Sequence, residues 1–133
     1  MSTDQLRVVG TGSFFLLIFL SGFWLSRSGK PYSSIIFNIH KFVGLATGVF
    51  LIMTVYKTHQ LAPLSPVGIT AVVITVLIFV GTVAAGGLVS VDAAGGLESV
   101  NQPIRAAMSM THKLLPYLAV LSTAATLYLV LSR

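Results

Sequence analysis

Two positions place a side chain able to ligate a metal or carry a proton inside an otherwise apolar stretch: His40 and His112. Their contexts match. The first reads Ser34-Ile-Ile-Phe-Asn-Ile-His40-Lys41-Phe-Val-Gly44, the second Ala106-Ala-Met-Ser-Met-Thr-His112-Lys113-Leu-Leu-Pro116. In each, a lysine follows the histidine, and a residue that alters the backbone comes four positions after it. An ionisable group within a membrane span is costly, and so is a functional candidate by default. The matched contexts suggest a diverged repeat of one helical hairpin, with the rest of the two halves alike only in hydrophobicity.

The elements that must position these residues are membrane spans. Of the 133 residues, 8% are charged and 55% hydrophobic, against about 25% charged in a soluble domain. A helix crosses the hydrocarbon core with roughly 20 apolar residues. Four stretches qualify: about Val8–Ser26, Ser34–Tyr56, Pro66–Val91 and Arg105–Leu131. Short connections make sequence neighbours antiparallel. The expected fold is all-α, one integral membrane domain over 1–133, an up-down-up-down four-helix bundle. The first stretch is longer than a secretory h-region and lacks a small-x-small cleavage site, so it is read as a span. Asn101 and Pro103 suit the cap and first turn of the fourth helix, and Pro66 the first turn of the third.

Composition excludes several chemistries. There is no cysteine, which removes disulfides, thiol redox chemistry, iron–sulfur clusters and covalent haem attachment. The three acids, Asp4, Asp92 and Glu98, lie outside the spans, which argues against a proton- or cation-coupled transporter. No acid, base and nucleophile set supports hydrolysis. The net charge of +5 comes from single Lys and Arg residues at segment ends. There they snorkel to lipid headgroups, and no nucleic-acid partner is needed.

Helices two and four run in the same direction in such a bundle, and each histidine lies about 9 Å past the start of its span. With adjacent helices 8–10 Å apart, the diagonal is roughly 12–14 Å. That separation suits two imidazoles gripping one iron from opposite faces of a porphyrin. His40 and His112 are therefore the expected metal ligands of one b-type haem. Gly22, Gly44, Gly86 and Gly87 fall in the same layer and leave room for a flat group, although Gly44-Leu-Ala-Thr-Gly48 also has the form of a helix-packing face. Arg27, Lys30, Lys41, Arg105 and Lys113 gather at the nearer boundary, where propionates need partners. Trp24, Tyr32 and Asn38 are further hydrogen-bonding candidates. Pro116 cannot donate to the His112 carbonyl and should bend the fourth helix.

On these residues the chain resembles the small four-helix membrane b-type cytochromes, broadly of the cytochrome b561 type. The likeness is architectural and covers the four spans. It implies an electron carrier working with a redox partner protein or a quinone, alone or inside a larger membrane complex. The family pattern has four histidines and two haems; here the only other histidine is His59, beyond the second apolar stretch. The resemblance therefore supports one haem.

Other readings compete. A cofactor-free accessory subunit of a respiratory or photosynthetic complex would explain the small loops. Met108, Met110 and His112 form an M-x-M-x-H string whose softness suits Cu(I), but helical spacing puts Met110 on another face. His59 reads as a loop residue, with quinol proton relay as the functional alternative. The side with Arg27, Lys30 and Arg105, plus Lys41 and Lys113, outweighs the side with Arg7, Lys57 and Arg133, which favours cytoplasmic connections 1–2 and 3–4 and external termini. A prokaryotic inner membrane is the expected location.

Overall fold

The computed structural model describes residues 1–132; Arg133, counted above among the charges of one side, lies outside the described residues. The chain is all-α, with helices α1 (Thr3–Ser28), α2 (Ser34–Leu61), α3 (Pro66–Ala93) and α4 (Gln102–Leu131). Local chemistry sets their ends. Ser2 and Gln5 form a reciprocal capping box ahead of α1, which satisfies two of the orphan amides at a helix start. The Ser65 hydroxyl accepts from the Gly68 amide at 3.1 Å, and Pro66 opens α3. The Asn101 carbonyl accepts from the amides of Ile104 and Arg105, and Pro103 lies in the first turn of α4 as expected. Gly29, at φ +69°, terminates α1 in a backbone region that glycine enters without steric cost.

All four helices are long and apolar enough to cross a membrane. At 26 to 30 residues they measure about 39–45 Å, against about 30 Å of hydrocarbon. They therefore outrun the apolar stretches, most clearly at Thr3–Arg7 and Lys57–Leu61. Continued helix keeps amides and carbonyls paired where water thins out.

The burial pattern is compatible with an integral membrane protein. Large apolar side chains point outward, among them Phe42, Leu77 and Leu121. Every buried polar side chain among the described residues is a threonine: Thr11, Thr47, Thr54, Thr58, Thr75, Thr123 and Thr126. Threonine suits such sites because its hydroxyl can return to its own helix while its methyl packs. Thr11 donates to the Arg7 carbonyl, Thr47 to that of Val43 and Thr58 to that of Thr54, at 2.7–2.8 Å. Small and hydroxyl-bearing residues dominate helix contacts in membranes for this reason.

The chain divides into two compact units. The first is the α1–α2 hairpin, Met1–Leu64, grouped with the chain end from Val130; the second, Ser65–Leu129, is the α3–α4 hairpin. In the first, Phe50 seats its ring edge over Gly10 and tilts against Phe14 with centroids 5.4 Å apart. At the chain-terminal end of this hairpin, Arg7 donates to Asp4 at 3.0 Å and to the Thr58 hydroxyl at 3.1 Å. In the second, Thr126 donates to the Ala71 carbonyl at 3.1 Å, and its hydroxyl lies 2.8 Å from that of Thr75. Arg105 pairs with Asp92 across the base of the α3–α4 connection.

Candidate functional site

Each hairpin presents one histidine, its ring against a glycine of the preceding helix. His40 on α2 turns its ring toward α1, with Nδ1 3.0 Å from the Ser21 hydroxyl. A Cβ added at Gly22 would stand 3.0 Å from the His40 Cε1. His112 on α4 turns toward α3, with Nδ1 3.2 Å from the Thr82 carbonyl oxygen. A Cβ at Gly86 would stand 2.7 Å from its Cε1, closer than real Cβ contacts come. The absence of a side chain at Gly22 and Gly86 thus lets the imidazoles themselves seat against the preceding helix.

The hydrogen bonds assign the tautomers. A carbonyl only accepts, so His112 donates from Nδ1 and its unprotonated nitrogen is Nε2. Ser21 has one hydroxyl hydrogen, directed at the helix carbonyls of Leu17 at 2.7 Å and Ile18 at 3.1 Å. With that hydrogen on the carbonyls, the Ser21 oxygen is the acceptor for an Nδ1–H tautomer of His40, and the 3.0 Å contact suits that arrangement. A histidine that ligates through one nitrogen characteristically donates its other N–H to an oxygen, which fixes tautomer and orientation.

The likeness of the hairpins extends further than the His-Lys pairs. Stepping 64 residues from α1 to α3 matches Val8, Val9, Thr11, Phe15, Gly22 and Ser26 with Val72, Val73, Thr75, Phe79, Gly86 and Ser90. Stepping 72 residues from α2 to α4 matches His40, Lys41, Thr54 and Tyr56 with His112, Lys113, Thr126 and Tyr128. Under the second step the three buried residues of α2, namely Thr47, Thr54 and Thr58, fall on Ala119, Thr126 and Val130, which are also buried. These matches continue the likeness of the two hairpins beyond the His-Lys pairs. The expectation that the halves agree only in hydrophobicity understated the repeat.

The remaining candidates take varied positions. Gly44, on the His40 face of α2, and Gly87 on α3 have open space where a Cβ would stand. Lys41 sits 4.2 Å from the centroid of Phe37, whose ring stacks on Tyr32, and Arg27 sits 5.1 Å from that of Phe23. Such contacts hold a cation at an amphipathic boundary. Arg105 is committed to Asp92. Lys30 lies in the turn after α1, and Lys113 is exposed on α4 next to His112. Trp24 and Asn38 are exposed as well. His59 lies in the last turn of α2 and not in a loop as expected, because the helix runs on to Leu61, and it accepts from the Leu64 amide at 3.2 Å through Nδ1. Met110 is exposed and Met108 half-buried, as their helical spacing requires.

Among the described residues no three His, Asp or Glu side chains converge as a metal cage would need. What the hairpins present is one imidazole each. Comparison with protein-family models, with curated proteins and with solved structures gave no match. The functional reading therefore rests on the residues.

Three contributors escaped the sequence reading. Ser21 adjoins a glycine in an apolar run and looks like a packing residue. The Thr82 carbonyl belongs to the main chain, so residue type does not reveal it. Asp92 falls outside the apolar stretch, yet it neutralises a cation expected to serve a ligand. The repeat register would have exposed the first two, because it aligns Ser21 with Ala85 and Ile18 with Thr82.

Proposed function

We propose that this chain is an integral-membrane electron carrier that holds one b-type haem with His40 and His112 as axial ligands. The observation that carries this reading is the repeated setting of the two imidazoles. Each sets Nδ1 within 3.2 Å of an oxygen of the preceding helix and seats its Cε1 edge on a glycine, and the Nδ1–H tautomer that suits this contact is the one that ligates through Nε2. A chain of four single spans alternates in direction, up-down-up-down, so the second and fourth helices enter from the same membrane face. His40 lies six residues past Ser34 and His112 seven past Arg105, the starts of their apolar stretches.

The residues fit the group in donor chemistry. Two neutral imidazoles fill both axial positions of an iron and leave none open for oxygen or substrate. Gly44 and Gly87 each have open space where a Cβ would stand. Lys41, Lys113, Arg27 and Lys30 provide positive charge for propionates, with Arg105 less available because of Asp92. Bound there, the haem supplies a one-electron couple, and the protein's part is to fix ring orientation and exclude water. A quinone or a redox protein is the partner class, and the likeness to the small b-type membrane cytochromes belongs to this same reading. In this reading the membrane is a prokaryotic inner membrane, and the charge distribution favours termini outside and the 1–2 and 3–4 connections in the cytoplasm.

An optical spectrum of the detergent-purified protein, oxidised and reduced, tests the proposal beside His40→Ala and His112→Ala. Sharp low-spin bands, lost or made high-spin in either variant, are the expected result. A colourless but folded wild type would remove the haem and leave a cofactor-free accessory subunit as the better account.

A further inference from the structure

The two histidines are held by different chemistry at equivalent places, and the repeat shows why. Thr82, whose carbonyl accepts directly from His112 at 3.2 Å, corresponds to Ile18 in the first hairpin. The Ile18 carbonyl receives a hydrogen bond too, but from the Ser21 hydroxyl at 3.1 Å, and that hydroxyl lies 3.0 Å from the His40 Nδ1. Ser21 is therefore inserted into the same histidine-to-carbonyl connection. Its counterpart in the second hairpin is Ala85, buried and without a hydroxyl.

We propose that Ser21 is a positioning residue that relays the Nδ1–H of His40 to the α1 carbonyls, fixing Nε2 as its unprotonated nitrogen and making the two imidazoles electronically unequal. A hydroxyl that already donates to a carbonyl is a polarised but weaker acceptor than the carbonyl itself. Nδ1 of His112 thus donates to the stronger acceptor and its Nε2 is the more electron-rich. Orienting partners of this kind raise ligand basicity. The relay is argued from the geometry at Ser21, Ile18 and Thr82 without the haem. Its redox consequence rests on the haem reading above.

The experiment has two arms, so that failure of one idea does not hide failure of the other. The first uses the full chain without haem, labelled with ¹⁵N at histidine, in lipid. Wild type should show both His40 and His112 as the Nδ1–H tautomer. Ser21→Ala should shift or mix the His40 signal and leave His112 unchanged; Ser21→Thr, which keeps the hydroxyl, should restore it. Ala85→Ser should move His112 alone. A wild-type His40 protonated on Nε2, or a Ser21→Ala spectrum identical to wild type, overturns the relay. The second arm titrates the haem-loaded protein potentiometrically. Ser21→Ala should retain two imidazole ligands and move the midpoint potential, upward if Nδ1 of His40 loses its acceptor and downward if it closes on the Ile18 carbonyl as His112 does on that of Thr82, and Ser21→Thr should return it toward wild type. An unchanged midpoint overturns the electronic role. Failure to bind haem, with the ¹⁵N result intact, counts against the haem reading and not against the relay.

Discussion

In the α1–α2 hairpin the histidine is held through a side chain, whereas in the α3–α4 hairpin it is held by the main chain. The packing differs as well. The first hairpin closes on an aromatic ring over Gly10 and an arginine bonded to Thr58. The second closes on two threonine hydroxyls and a carbonyl, with an ion pair at its base. Yet Gly22 and Gly86, Thr11 and Thr75, and the two His-Lys pairs keep their register. What persists between the copies is the seat for an imidazole. What varies is the means of bringing two helices close enough to make it.

The largest effect should come from filling the tighter seat. Gly86→Ala puts a Cβ 2.7 Å from the His112 ring, against 3.0 Å for Gly22→Ala at His40. Overpacking of this kind costs about 1–3 kcal/mol. Reversible unfolding in mixed micelles should rank Gly86→Ala as more damaging than Gly22→Ala. Equal or absent losses would mean that the seats are looser than their geometry.

Next comes the threonine contact peculiar to the second hairpin. Thr126→Val removes a bond between helices and should lose about 1 kcal/mol, within the range for hydroxyl bonds in membranes. Thr47→Val removes only a bond inside α2 and should lose less. If the two variants unfold alike, the interhelical hydroxyl bond contributes nothing beyond local packing.

Breaking the Arg105–Asp92 pair has a smaller expected cost. Its side chains are 29% and 16% exposed, at the wet end of the helices where screening is strong. A double-mutant cycle of Arg105→Gln and Asp92→Asn should return about 0.5–1 kcal/mol of coupling, falling with added salt. Zero coupling at low salt would show the pair to be incidental. Smallest of all is Gly44→Ala, where nothing lies within 4 Å of the new methyl. It should leave the haem-free protein as stable as wild type or firmer by less than about 1 kcal/mol. A clear destabilisation there would show that Gly44 packs against something it does not touch in this fold.

Residue by residue, the two levels of description divide cleanly. Hydrophobic stretches of twenty or more residues could be read directly as helices, because backbone groups in lipid have no other way to be satisfied. Their starts were legible at Pro66 and Pro103, where cap chemistry is local. Their far ends were not, since Lys57 to Leu61 carries no apolar signal and stays helical through continued backbone bonding. His40 and His112 stood out for the same reason, as ionisable groups where such groups are expensive.

Composition and linear pattern thus determined the class of solvent, the number of spans and the two side chains capable of chemistry. These follow from transfer energies that each residue carries by itself. Only the tertiary structure decided which oxygen each imidazole faces, that Gly22 and Gly86 seat those rings, and that Arg105 is spoken for by Asp92. Such outcomes depend on how two helices are brought side by side in register, and no single residue's energy encodes that.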